Sequence, residues 1–301
     1  MSKVLVFTSY GGPETEQIIE RPMPTPGPDQ VAIEVKAAGV NPADWKTREG
    51  RFGKHHALPK EMGFEASGIV TAVGDDVSGF SIGDAVLGAV AEEFGGIAEH
   101  AVLAAARTVQ KPEIVSFADA AVLPVAGATA YDLTHQIELE PGQTMLIIGS
   151  GGGVGLIAAQ IGRVHKFTVI GVGSASKQDL ITSTGAAFVL SGEGAADRVR
   201  AIASDGVDLI LDLVGGEVLR EFATLVKNPK NIVSAADAAT ATDLGGAGLV
   251  RTAESLAKIT GVVEYGLVDP HVVQQFALVD ARTAVAVVES GHATGKVVVT
   301  P

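Results

Sequence analysis

The chain has 301 residues, 22 basic and 35 acidic, giving a net charge of -13 at pH 7, with 47% hydrophobic residues, 19% charged residues and no cysteine. A chain of this size and apolar content is globular and exceeds the usual single-core limit, so two domains with a cleft between them are expected. The acidity argues against nucleic acid or an anionic membrane surface as a partner, and the lack of cysteine removes disulfides, thiolate nucleophiles and every sulfur-ligated metal site.

The N-terminal MSKVLVFTSYGG has a single lysine and too short an apolar run to act as a secretion signal, which sets the expectation of a cytoplasmic protein. From there to about residue 115 the sequence reads as β: Lys3 to Thr8, Val31 to Val40, Gly68 to Val73, Asp84 to Leu87 and Ile97 to Leu103 are strand-like runs punctuated by glycine and proline. Four prolines between Arg21 and Asp29 fix φ and remove donors, so that segment is an extended connector. At Ser116, with Asp119 three residues on, an alanine-rich helical stretch begins and runs to Ile137, broken at Pro124 and Gly127. Its apolar part, 120–131, is shorter than the ~18 residues that a membrane span needs.

Beyond the Pro141-Gly142 turn, strands and helices alternate. Strands are expected at Thr144 to Ile148, Phe167 to Val172, Phe188 to Leu190, Val207 to Val214 and Asn231 to Ala235, with helices at Val154 to Arg163, Lys177 to Thr184, Ala195 to Ala203 and Glu217 to Val226. Strands apolar on both faces and separated by helices mean a doubly wound parallel sheet. From about His271 strand-like runs return, ending in Gly295-Lys-Val-Val-Val-Thr300, and are expected to rejoin the first domain.

The sequence Met145-Leu-Ile-Ile-Gly-Ser-Gly-Gly-Gly-Val-Gly155 places a glycine cluster between a buried strand and a helix. Glycines let the backbone approach closely, and the helix N-terminus offers N–H groups to a pyrophosphate, so Ser150, Gly152, Gly153, Val154 and Gly155 are candidate dinucleotide-binding residues. After the next strand, where an NAD enzyme carries an acid for the ribose hydroxyl, stand Ser174, Ser176 and Lys177. Two hydroxyls and an ammonium favour the 2′-phosphate of NADP(H). The same residues also read as a helix cap with a solvated lysine. Val214, Ser234, Ala235 and Ala236, at the carboxyl ends of later strands, fall where such sheets bind ligands.

Taken together with Tyr10-Gly-Gly-Pro-Glu14, Ala37-Ala-Gly-Val-Asn-Pro-Ala-Asp44, Gly63-Phe-Glu-Ala-Ser-Gly68, Gly83-Asp-Ala-Val86, 121–131 and Gly295-Lys296, the chain resembles the medium-chain dehydrogenase/reductase superfamily, and within it the zinc-independent quinone oxidoreductase group. The resemblance implies an α/β protein with a GroES-like β-rich catalytic domain, 1–122 and 271–301, and a Rossmann NADP(H)-binding domain, 123–270. It implies NADPH-dependent hydride transfer to a quinone, an enone or another activated carbonyl. Reduction of an enoyl thioester or aldehyde, and cofactor binding without catalysis, are the alternatives.

Zinc members of the superfamily carry Cys where Asn41 stands and His where Phe64 stands, so no metal is expected; Glu65 and Asp44 are what remains of that ligand set. The tandem His55-His56 reads as a solvated loop. By resemblance, Asn41 and Thr129 line the nicotinamide and substrate end and Asp44 helps to fix that pocket. Asn41 before Pro42 is equally a helix N-cap, and Asp44 equally a backbone acceptor. Phe52, Phe64 and Phe94 are candidate walls for a flat substrate, or ordinary core. Two departures stand out: Ser191-Gly192 follows the third strand of the nucleotide domain, where many NADP(H) members carry a tyrosine or a basic residue, and 237–256 is short and glycine-rich. The second predicts a truncated last strand at the edge through which a homodimer would form.

Overall fold

The computed structural model describes residues 1–291 and 293–301. The chain divides into two compact units, 1–125 with 271–301, and 126–270. The first leg runs β1 (Ser2–Phe7), β2 (Glu16–Arg21), β3 (Gln30–Val40), α1 (Pro42–Arg48), β4 (Lys60–Glu61), β5 (Glu65–Val73), β6 (Ala85–Val90), β7 (His100–Gln110) and α2 (Phe117–Ala120). A π-helical turn, Leu123–Gly127, then carries the chain across the boundary.

The second unit continues with α3 (Ala128–His135), β8 (Thr144–Ile148), α4 (Gly153–Val164), β9 (Thr168–Gly173), α5 (Gln178–Ser183), β10 (Ala187–Leu190), α6 (Ala195–Ile202) and β11 (Leu209–Asp212). It closes with α7 (Gly216–Ala223), β12 (Ile232–Ser234), α8 (Ala238–Asp243), β13 (Ala247–Gly248) and α9 (Ser255–Glu264). The last leg, β14 (Val272–Ala277), α10 (Ala281–Glu289) and β15 (Lys296–Thr300), belongs to the first unit. Among the described residues no helix is long and apolar enough to cross a membrane.

In the first unit six strands lie in the order β14-β15-β3-β5-β6-β7, and β3 also pairs with β7, so the sheet closes on itself. A core of Leu5, Ile33, Val86, Ile97, Leu103 and Val297 fills it. The strand β2 was not among those expected, and two further segments differ from the expectation raised by the sequence. The alanines of 104–106 disguise the long strand β7, which is held in the sheet by pairing with β3 and β6; tertiary hydrogen bonding outweighs local propensity there. The valines of 281–289 suggest a strand, yet Ala281, Ala284 and Val285 recur at helical spacing and are buried, as one face of α10.

The second unit is one fully parallel sheet in the order β10-β9-β8-β11-β12-β13, the Rossmann order, with its topological switch between β8 and β11. Met145–Ile148 of β8 and all of β11 are buried, as a sheet covered on both faces requires. The last strand, β13, is two residues long, in keeping with the brevity of 237–256.

Arg48, fully buried, ties the first unit together. It donates to the Gly11 carbonyl (3.0 Å), to Glu16 and to Glu289 (2.8 Å), joining the turn after β1, the start of β2, α1 and α10. Burial pushes the Glu16 carboxyl up in pKa, against the pull of Arg48. Removing one partner of such a pair leaves a buried charge uncompensated and costs about 3–5 kcal/mol. Arg48→Met is therefore expected to lose about that much stability in urea unfolding, and Arg48→Met/Glu16→Gln to recover part of it; additive losses in the two single variants would contradict this coupling.

Candidate active site

Four polar side chains are buried at the start of α1: Asn41, Asp44, Glu65 and Lys296, none more than 5% exposed. Asn41 occupies the N-cap position with Pro42 at the first helical residue, which fixes the chain's entry into α1. Its amide, however, turns to neighbours: Nδ2 donates to Glu65 Oε1 (2.7 Å), and Oδ1 accepts from Lys296 Nζ (2.7 Å). Lys296 also donates to the Val40 carbonyl (3.2 Å) and lies 3.5 Å from Glu65 Oε1. The other Glu65 oxygen accepts from the Val125 N–H (2.6 Å) in the π-helical turn. Gly39 makes the space: a Cβ there would stand 2.2 Å from Glu65 Oε1.

Asp44 works on the backbone. Its two oxygens accept from Asn41 N–H (2.7 Å) and Gly63 N–H (3.0 Å), pinning the return of the 49–62 loop beside α1. Burial raises its pKa to about 7; the two N–H bonds and Lys296 act in the opposite direction, and Glu65 adds to the rise. Both carboxylates left from the zinc ligand set are thus committed to N–H donors, and Lys296 stands against Glu65. Among the described residues no group of three or more His, Cys, Asp or Glu side chains is arranged to hold a metal. His55 is exposed and His56 half-buried, their rings 4.3 Å apart.

In the second unit the glycine turn joins β8 to α4. Ser150, at the first-glycine position, is locked down: its N–H and hydroxyl both donate to the Val172 carbonyl (3.0 and 3.1 Å). Gly155 admits no side chain, because a Cβ would lie 2.5 Å from Ser150 Cα. Gly152 is the N-cap of α4, so the amides of Gly153, Val154 and Gly155 have no intrahelical acceptor and are the ones a pyrophosphate would meet. After β9, Ser174 and Ser176 are exposed, with hydroxyls 3.1 Å apart. Lys177 is 7% exposed; its stem packs where a side chain at Gly151 would go, and burial lowers its pKa.

At the switch point the ends of β11 and β12 are braced by a network the sequence reading missed. Asp212, fully buried, accepts from Val214 N–H (3.0 Å), Gly215 N–H (2.9 Å) and the Ser234 hydroxyl (2.5 Å). The Ser234 hydroxyl in turn accepts from Ala236 N–H (3.1 Å) and Asp237 N–H (2.8 Å). Ala235 N–H donates to the Asp212 carbonyl (3.0 Å). An acid closing a strand, followed within four residues by two glycines, was the available signal. The result is an open rim on which Val214 is half exposed.

The remaining candidates are dispersed. Thr129 is buried in the first turn of α3. Phe52 and Phe64 are exposed, at 59% and 40%, whereas Phe94 packs against two core clusters of the first unit. Within the first unit, then, Asn41 and Asp44 come together with Glu65 and Lys296. Within the second, the glycine turn, 174–177, Val214 and 234–236 share the carboxyl end of the sheet.

Residues 27–113 match the alcohol dehydrogenase GroES-like domain family and residues 184–299 the zinc-binding dehydrogenase family. The chain is 32% identical to 2-methylene-furan-3-one reductase of Solanum lycopersicum, over 99% of this chain and 79% of that protein. A quinone oxidoreductase structure from Coxiella burnetii superposes with a TM-score of 0.91 at 30% identity, covering 100% of this chain and 99% of the other. The Escherichia coli quinone oxidoreductase solved in complex with NADPH gives a TM-score of 0.89 at 25% identity, over 99% and 100% of the two chains. Synaptic vesicle membrane protein VAT-1 homolog of Rattus norvegicus is 34% identical over 77% of this chain, which spans only 58% of that relative.

The Asp44 carboxyl gives the first unit a pH signature. Its folded pKa of about 7 lies above its unfolded value, so the stabilising contribution is present below pH ~4 and lost as pH rises through 7. Asp44→Asn removes that titration. The stability deficit of the variant, read from urea midpoints, is expected to be smaller at pH 8 than at pH 5; an equal deficit at both would refute the raised pKa.

Proposed function

The chain belongs to the medium-chain dehydrogenase/reductase superfamily, in its quinone oxidoreductase group, and from that membership we propose that it is a metal-independent, NADPH-dependent reductase of quinones or enones. The observation that carries the coenzyme reading is the carboxyl end of the parallel sheet: a glycine turn with no room for side chains at Gly155, followed after β9 by two exposed hydroxyls and no acid. The likeness to a quinone oxidoreductase solved with NADPH supports the same coenzyme, and the furanone reductase supports an enone as well as a quinone acceptor.

When bound, the dihydronicotinamide supplies a hydride, and a quinone that takes it with one proton from water leaves as the hydroquinone. The chain's own residues bind and orient. Gly153, Val154 and Gly155 offer amides to the pyrophosphate, and the Asp212–Ser234 brace holds the strand ends on which Val214, Ala235 and Ala236 would flank the nicotinamide. Asn41 keeps one amide N–H after serving Glu65, and that donor is suited to an acceptor oxygen on which negative charge develops. Thr129 is assigned to the same end, and Phe52 and Phe64 to the apolar approach. Metal independence is supported by the donor set: the Asp44 and Glu65 oxygens accept N–H bonds, and Asn41 and Phe64 bring no ligand of zinc type.

Two measurements test this reading. NADPH oxidation followed optically is expected with a benzoquinone or an enone and to be indifferent to chelators; silence with every acceptor, or stoichiometric zinc whose removal abolishes turnover, would overturn it. Asn41→Ala is expected to lower turnover ~10²-fold per folded molecule, the usual cost of one preorganised donor. If stability falls while that rate stands, Asn41 serves only Lys296 and Glu65.

A further inference from the structure

The sheet of the nucleotide unit ends at β13, which pairs with β12 on one side and, among the described residues, with no strand on the other. An edge of this kind offers a row of backbone N–H and C=O groups to which a second chain can add. Which groups these are follows from the pairing. The Leu249 N–H donates to the Ser234 carbonyl of β12 (2.9 Å), so residue 249 faces inward. Along an extended chain successive residues turn their N–H and C=O to opposite sides, and 248, 250 and 252 therefore face outward.

All three are engaged, and by one helix. Gln136, at the C-terminal end of α3, donates from Nε2 to the Gly248 carbonyl (3.0 Å) and accepts on Oε1 from the Val250 N–H (2.8 Å). A residue of a parallel neighbouring strand would make the same two bonds, donating to one residue and accepting from the residue two further on. One turn earlier in α3, Asp132 accepts from the Thr252 hydroxyl (2.7 Å) and, at 3.4 Å, from the Thr252 N–H. Residues four apart on a helix are separated by about 6 Å along its axis, and residues two apart on a strand by about 6.6 Å. One face of α3, running opposite to 248–252, thus meets alternate residues of the edge in step. Asp132 is buried and Gln136 half-buried, whereas the Val250 side chain between them is exposed.

We propose that Gln136 and Asp132 stand in for a seventh strand and keep this edge from pairing with a second copy of the chain, the homodimer contact for which the edge is otherwise suited. The edge opens only when the Gln136 amide is withdrawn. The test is mass in solution by light scattering over a concentration series, with hydrogen exchange at the Val250 amide. Gln136→Met keeps the length of the side chain and loses both bonds, and Val250→Pro removes the outward N–H that strand addition requires. Wild type and Val250→Pro are expected to have the same mass. The mass of Gln136→Met should rise with concentration towards twice that value, and return to it when Val250→Pro is added. In dilute Gln136→Met the Val250 amide should exchange about tenfold faster than in wild type, the scale of one lost hydrogen bond. A wild-type mass that falls on Val250→Pro shows the edge already in use and overturns the proposal. So does a Gln136→Met mass equal to that of wild type, a rise that Val250→Pro does not reverse, or an unchanged exchange rate.

Discussion

A lysine ammonium, an amide and a carboxylate share a buried space at the mouth of α1, and much of the first unit is arranged around making that tolerable. Taking an ion out of water costs several kcal/mol even after relaxation, and the cost is offset only where the remaining lone pairs and protons find partners. The members come from four stretches of chain: Val40 and Asn41 where β3 passes into α1, Glu65 at the start of β5, the amide of Val125 in the π-helical turn, and Lys296 at the start of β15. Gly39 is confined to glycine by the same carboxylate. The cluster therefore fixes backbone position at four separate places, a stricter condition than apolar packing imposes, since apolar contacts are not directional.

The second unit solves a different problem with the same chemistry. Its sheet ends must stay open to a ligand, and an open rim has no core to hold it. Asp212 and Ser234 replace packing by satisfying four loop amides between them, so that the rim is rigid without being covered. A rim held in place in this way has little conformational freedom left to lose on binding.

The periodic parts of this protein were legible in its sequence. Strands apolar on both faces, set between amphipathic helices, gave the parallel sheet, and the glycine cluster marked the turn after β8. What escaped was decided by contacts distant in sequence. β7 is a strand because β3 and β6 flank it, and the Ala104–Arg107 stretch carries no such instruction. Asn41 reads equally as a cap and as a site residue, and in the structure it holds the cap position while its amide faces Glu65 and Lys296. Lys177 looks like a surface cation until Gly151, 26 residues earlier, is seen to leave room for its stem.

The bond between Lys296 and Asn41 joins residues 255 positions apart, with the whole of 126–270 between them. During synthesis at roughly 5–20 residues per second, Asn41 and Glu65 wait on the order of 10–50 s for their lysine. The nucleotide unit, continuous in the chain, has all its strands in hand before β15 exists. Through that interval the barrel lacks β14 and β15, and a carboxylate meant for burial has no cation. A nascent chain thus passes through a stage in which one half can be native and the other cannot, and the exposed edge of β3 is the surface that a chaperone or a neighbouring nascent chain would find.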